Sequence, residues 1–160
     1  MTAIQPEQSI SQLIAEAATT YDGLRLLEAM RDGEIPSSGI GKLLGMRILD
    51  LERGAVRGAL DPAEKHYSPL GMVHGGVVAT MLDTAMCCAL QTLLPAGVGY
   101  TTSNIDVRFI RPITVDTGTV FATGTVLHHG RRTATAEGKV VAARDGKLLA
   151  HGTSTLLVLS

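Results

Sequence analysis

The segment from Gly71 to Leu90, GMVHGGVVATMLDTAMCCAL, places three glycines and a histidine ahead of a long apolar run with a single carboxylate, Asp83. A glycine pair at a helix start offers bare backbone N–H groups to a developing negative charge. A carboxylate inside an apolar helix is costly unless it is paired or used in a reaction. These residue types together point to acyl transfer or hydrolysis.

Spacing constrains how they could cooperate. At 100° per residue, Gly76, Thr80, Asp83, Thr84, Cys87 and Gln91 share one stripe of the helix, and apolar side chains occupy much of the rest. Such a stripe can be a solvent face, but a solvent face ordinarily carries several Lys or Glu. A narrow, weakly polar stripe fits a partner surface or a substrate channel better. Asp83 follows His74 by nine residues, which sets them roughly 180° apart and about 13 Å along the axis. Gly75 and Gly76 lie roughly 10–12 Å from Asp83 in the same helix. If those amides and Asp83 act on one carbonyl, the amides come from a second copy of the chain. The functional reading therefore requires a homodimer with its site at the interface.

The elements that position these residues follow from periodicity and turn signals. Helical spacing runs from about Pro6 to Arg31, interrupted at Asp22-Gly23 and ended by Asp32-Gly33 and Pro36–Gly39. Ile40–Leu44 reads as a linker to two strands, Met46–Glu52 and Ala55–Leu60, joined at Arg53-Gly54. The glycine-rich helix is predicted from about His74 to Thr92, stopping near Leu94-Pro95. After Gly97 the chain reads as strands: Ile105, Val107 and Phe109 alternate with polar residues. Thr119–His128 and Arg132–Ala143 form a hairpin over His129-Gly130-Arg131, and Leu148–Leu159 follows the turn at Asp145-Gly146. Gly23, Gly33 and Gly54 read as turn residues. One long apolar helix among short-looped strands implies an α+β domain with an antiparallel sheet against that helix. The predicted division is a helical extension over 1–39 and a main domain over 40–160.

Composition narrows the class. A chain of 160 residues fits one domain burying roughly 68–70% of its unfolded surface. Charged residues make up 18% and the net charge is -1, so no nucleic-acid or membrane footprint is visible. With no Trp, three Tyr and two Phe, a base-stacking platform is not expected. Cys87 and Cys88 are adjacent on the helix and point apart, so no disulfide is expected and a reducing, cytoplasmic setting fits. The first residues show no signal peptide, and no apolar stretch is long enough to span a bilayer. His66, His74, His128, His129 and His151 lack metal-ligand spacing. A cysteine nucleophile would need a nearby base and an electropositive setting, and core packing is the simpler reading of both thiols.

Met72–Val77, continuing through Leu82–Met86, resembles the hotdog-fold acyl-CoA thioesterases of the phenylacetate-degradation (PaaI-like) branch, within the 4-hydroxybenzoyl-CoA thioesterase superfamily. Leu94–Thr102, Arg108–Pro112, Gly130–Ala134 and Gly146–His151 resemble that family too, in order and at its spacing. The match runs from about Leu43 to the C-terminus. It implies a hotdog fold, a long central helix wrapped by a curved antiparallel sheet, here with an extra N-terminal helix. It also implies dimers or tetramers, and hydrolysis of an acyl-CoA thioester without metal or prosthetic group.

Carried over by position, the resemblance makes Asp83 the general base or nucleophile. Gly75 is the residue whose N–H polarises the thioester carbonyl from the other subunit, and His74 fixes the loop or contacts substrate. Thr102, with Thr101 as the register alternative, positions the attacking water. His128, His129, Gly130, Arg131, Arg132 and Thr133 hold the coenzyme A nucleotide, although an arginine pair in a turn is often merely solvated. Asn104 and Phe109 join the substrate-binding set, and Ser154 lines the same groove or packs. Where the family often has Asn or Gln before His-Gly-Gly, this chain has Ser68, a shorter group with one donor. An enoyl-thioester hydratase or dehydratase would need His74 and Asp83 to meet across subunits. A non-catalytic acyl-CoA binding module would keep the Gly75 loop and Arg131-Arg132 without needing Asp83. The acyl group is open between aromatic and medium-chain, its pocket ending at the N-terminal helices and Ile40–Leu44.

Overall fold

The computed structural model describes residues 9–37 and 39–159. Its centre is α4, Gly75–Gln91, with His74 as N-cap and Thr92 as C-cap, within a residue of the predicted ends. Val78, Met81, Leu82, Ala85, Met86, Cys87, Ala89 and Leu90 of this helix are buried. No two-layer solution could cover so broad an apolar surface with a flat sheet. Instead six antiparallel strands curl round it in the order β1-β2-β4-β5-β6-β3. They are β1 Arg47–Glu52, β2 Ala55–Leu60, β3 Gly99–Phe109, β4 Val120–His129, β5 Thr133–Ala142 and β6 Leu148–Leu159. Every strand except β1 packs directly on α4.

Two glycines set how closely helix and sheet approach. A Cβ on Gly124 of β4 would fall 2.2 Å from the Ala85 carbonyl oxygen, and one on Gly138 of β5 would fall 3.1 Å from Leu82 Cδ2. The β1–β2 hairpin turns at Arg53-Gly54, with Gly54 at φ 82°, as its sequence predicts. Gly54 N–H donates to Thr92 Oγ1 at 2.7 Å, tying that turn to the C-terminal end of α4.

The N-terminal part is helical, as expected, and is interrupted at Asp22-Gly23 as its sequence predicts. The predicted start near Pro6 lies outside the described residues. α1 spans Ile10–Thr20 behind a Ser9 capping box, and α2 spans Gly23–Arg31 behind an Asp22 N-cap. Ile40–Leu44, read as a linker, belongs to a third helix, α3, Gly39–Leu44. Six residues with two glycines show no helical period. α3 is held by its packing instead: Lys65 Nζ donates to the Leu43 carbonyl at 3.3 Å, and His66 Nε2 lies 2.9 Å from that of Leu44. Gly23 is more than a turn residue: it opens α2, and a Cβ there would sit 1.7 Å from the Gln91 carbonyl oxygen. Its N–H donates to the Leu94 carbonyl at 2.9 Å, so α2 docks on the C-terminal end of α4.

Among the described residues no helix is long and apolar enough to cross a membrane. The helix–sheet contact gives a stability prediction. Gly124→Ala places a methyl group against a main-chain carbonyl that cannot move alone, and it should destabilise the fold by about 3 kcal/mol or more. Urea unfolding followed by circular dichroism measures this, and a cost under about 1 kcal/mol would show that the contact is not required.

Candidate active site

The sheet covers the apolar sides of α4 and leaves one stripe facing the space between its two edge strands, β1 and β3. Asp83, Thr84, Cys87, Cys88 and Gln91 line a cavity of about 700 Å³ in that space. This separates the two readings of the stripe: its C-terminal part faces a cavity. Gly76 and Thr80 lie outside the cavity, the Thr80 hydroxyl donating to the Gly76 carbonyl at 2.9 Å.

The carboxylate is oriented from β3. Thr102 Oγ1 donates to Asp83 Oδ1 at 2.8 Å. Cys87 Sγ lies 3.7 Å from the same oxygen and 3.3 Å from Thr102 Oγ1, closing a triangle. Thr102 is thus the hydroxyl on the carboxylate. The reason is a β-bulge in the β3–β6 pairing between Thr102 and Asn104. Strict alternation back from Ile105 would turn Thr101 inward; the extra residue hands that direction to Thr102 and Tyr100. Thr101 still borders the cavity. Tyr100 also lines it, and its strand parity with Thr102 is the sequence signal for that placement.

The thiols beside Asp83 are not nucleophiles. Burial, reinforced by the Asp83 charge, pushes Cys87 up to about 12. Burial likewise pushes Cys88 up to about 12, and Tyr100 rises well above its ordinary value for the same reason. Near neutrality these groups offer dipoles and no charge. The sequence treated Cys87 as core packing and missed its place against the carboxylate. Its position four residues after Asp83 was the available signal.

At the other end of α4 the His74 ring is committed to the helix start. His74 Nδ1 accepts from the Gly76 N–H at 2.8 Å, which leaves its proton on Nε2. A Cβ on Gly76 would press on that ring at 3.0 Å, so the second glycine makes room for the cap. Among the described residues nothing accepts the Gly75 N–H. The Phe109 ring lies beside Gly75, and with Met72, Val78, Ile110 and Ile113 both border a second hollow of about 450 Å³. Buried His66 anchors this loop: its Nδ1 accepts from the Ala63 N–H at 3.0 Å, and its carbonyl accepts from the His74 N–H at 2.8 Å.

The remaining predicted residues separate. Ser68 forms the turn before Gly71, its Oγ 3.4 Å from the Leu70 N–H, and borders neither hollow. Ser154 is buried, and its hydroxyl donates to the Asn104 carbonyl at 2.9 Å; it packs β6 against the β3 bulge and does not line the groove. Asn104 is exposed on edge strand β3. His128, His129, Arg131, Arg132 and Thr133 are exposed around the β4–β5 turn, with Gly130 partly covered. Neither arginine has an acidic partner among the described residues. Register places this turn relative to Asp83: Thr133 pairs with Leu157, and Leu157 pairs with Thr101. The basic turn and Thr102 therefore share one end of the sheet, while Phe109 and Gly75 occupy the other. Among the described residues no three His, Cys, Asp or Glu side chains converge as a metal site requires.

A long apolar helix inside a curled antiparallel sheet defines the hotdog fold. The thioesterase superfamily profile matches residues 70–149, half of the chain. A Halobacterium salinarum protein, provisionally named an esterase, is 31% identical over 122 residues, covering 73% of this chain and 79% of that protein. The 1,4-dihydroxy-2-naphthoyl-CoA hydrolase of Listeria monocytogenes is 26% identical over 121 residues, covering 75% of this chain and 95% of its own. In fold, the PaaI protein of the E. coli phenylacetic acid degradation operon superposes with a TM-score of 0.75, at 21% identity, covering 89% of this chain and 96% of that one. The chain belongs to the thioesterase superfamily and is a thioester hydrolase with the hotdog fold.

The thiol environment yields a pH prediction. Unfolded cysteines ionise near 9.0, whereas the folded thiols hold their protons to about 12. The unfolded state therefore binds fewer protons above 9, so this contribution to stability is complete below that pH and is lost as pH climbs toward 12. Urea midpoints of wild type should fall more steeply above about pH 9 than those of a Cys87→Ala, Cys88→Ala variant. Parallel curves would show that the thiols ionise normally in the folded protein.

Proposed function

We propose that the protein is an acyl-CoA thioesterase that hydrolyses an aromatic or medium-chain acyl-CoA to free acid and coenzyme A, working as a homodimer. The observation that carries this reading is the Asp83 carboxylate, held through Oδ1 by Thr102 and facing a cavity of about 700 Å³. Asp83 acts as general base toward water or as nucleophile toward the thioester carbonyl. Its Oδ2 is the oxygen not held by Thr102. The departing coenzyme A thiol has a pKa of about 8.5 and leaves as thiolate with little proton donation. A carboxylate and an oxyanion donor are then sufficient machinery.

The oxyanion donor is the unpartnered Gly75 N–H at the positive end of the α4 dipole. Eight residues of rigid helix, about 12 Å, separate it from Asp83 of its own chain. The sheet edge supports the two-chain arrangement. β3 is an edge strand eleven residues long, with Thr102 near one end and Phe109 against Gly75 at the other. Antiparallel pairing of two β3 edges about their middle carries Gly75 of one protomer toward Asp83 of its partner, an isologous interface with two equivalent sites. Exposed Phe109 and Ile110 at that edge favour such burial. The basic turn Arg131-Arg132, on the Asp83 end, suits coenzyme A phosphates. The His74 ring, engaged as a cap through Nδ1, is a poor second acid–base partner for an enoyl hydratase.

Free-thiol release from a panel of acyl-CoAs tests the chemistry. Asp83→Asn should lower turnover by about 10²–10⁴-fold in a folded dimer. Gly75→Pro should lower it by about 10²–10³-fold, since it removes only the unpaired N–H at a first helical position where proline is tolerated. His74, at ψ 136°, already has the backbone a following proline requires. Mixing the two inactive variants as co-refolded dimers should restore about a quarter of wild-type activity, because half the dimers carry one intact composite site. A mixture as inactive as its components would place both groups in one chain's site, and equal turnover by wild type and Asp83→Asn would remove Asp83 from the reaction.

A further inference from the structure

The walls of the Asp83 cavity are unequal. α4 and β3 contribute Asp83, Thr84, Gln91 and Tyr100, while Arg31 and Arg47 reach the rim, each paired with an aspartate. The facing wall is built by the N-terminal helices and the approach to β1: Ile14 of α1, Leu26, Leu27 and Met30 of α2, Ile40 of α3, and Met46. None of these residues falls within 70–149, the stretch matched by the superfamily profile. The wall facing the reactive carboxylate is therefore supplied by a part of the chain that the shared family region does not include.

From this we infer that α1–α3 form the acyl-chain wall of the site and select a straight aliphatic acyl group of roughly eight to twelve carbons, with Met30 and Ile40 as specificity-determining residues. The inference rests on the thioesterase reading above and narrows its substrate. Capacity is the first argument. A cavity near 150 Å³ already accepts benzene, and this one, at about 700 Å³, far exceeds a single aryl ring. Length is the second. The cavity follows α4 from Asp83 to Gln91, about 12 Å of helix, and a zigzag chain with ~1.5 Å bonds covers that distance in about ten carbons. Wall chemistry is the third. Among the described residues Tyr100 is the one aromatic in the lining, so a ring finds little to stack on, while Met30, Met46 and Met81 offer flexible, adaptable contact to a flexible chain.

The walls are also firmly mounted, as a selecting surface must be. Gly23 docks α2 on the Gln91 carbonyl, Asp22 accepts from Arg53 at 3.1 Å, and the Gly97 N–H donates to the Ala18 carbonyl at 2.8 Å.

The test is a chain-length profile of kcat/KM on straight acyl-CoAs from four to sixteen carbons, with phenylacetyl-CoA and benzoyl-CoA alongside, for wild type, Met30→Trp and Ile40→Trp. In wild type, kcat/KM should rise about fourfold per buried methylene and level off near ten carbons. Either tryptophan variant should move that plateau about two to four carbons shorter, because the indole fills the far wall. Two variants at separate sites protect the test against one failing to fold. Identical profiles in wild type and both folded variants would overturn the inference, as would a wild-type preference for either aryl thioester over decanoyl-CoA. Absence of turnover on every thioester would instead strike the hydrolase reading. In that event calorimetric binding of decanoyl-CoA decides: binding weakened about tenfold or more by the tryptophans upholds the acyl wall, and binding unaffected by them overturns it.

Discussion

The structure depends on covering α4. The helix carries one carboxylate among residues that mostly avoid water, and its eight buried side chains, each worth roughly 1.5–3 kcal/mol when fully buried and aliphatic, cannot all be hidden by one flat layer. A curled sheet meets that demand, and Gly124 and Gly138 let its strands close to main-chain contact. What the sheet does not cover is the stripe bearing Asp83. Burying a carboxylate under β4 or β5 would leave it without a partner, whereas the gap between β1 and β3 gives it the Thr102 hydroxyl and a cavity. The position of the site is a consequence of the packing.

The same rigid helix fixes the division of labour along it. Its start is stabilised by the His74 cap, which takes the Gly76 N–H and leaves that of Gly75 unused, and buried His66 holds the preceding loop. Two turns further on sits the carboxylate, out of reach of that N–H in its own chain. Loops could have adjusted such a separation; a helix flanked by close-packed glycines cannot. If the two groups act together, as proposed above, antiparallel pairing of two β3 edges is the geometry that would join them.

Much of this was legible in the sequence because the strongest signals were local. The long helix ends within a residue of its predicted caps, and the β4–β5 and β5–β6 hairpins lie where turn residues mark them. The failures share one cause, which is tertiary contact overriding local pattern. α3 has no helical period and is held by Lys65 and His66 across the loop. The choice between Thr101 and Thr102 could not be made without the bulge, because a single extra residue reverses every side chain on one side of it. Whether Ser154 lines the groove or packs was likewise left open by strand alternation, and its hydroxyl is spent on that same bulge. The cavity wall from α1–α3 was foreseeable in outline, but its partners lie some fifty residues away in sequence, where periodicity carries no information.

The electrostatics of the site suit a reaction that needs no proton donor. Cys87, Cys88 and Tyr100 surround the carboxylate with groups that keep their protons far above neutrality. They therefore neither compete as nucleophiles nor neutralise the charge on Asp83. Arg31 and Arg47 reach the cavity rim, but each is paired, with Asp32 at 2.8 Å and with Asp61 at 2.7 Å. An alkoxide or amine leaving group draws on proton donation as it departs. The thiolate of a thioester needs little, because it is stable near neutral pH.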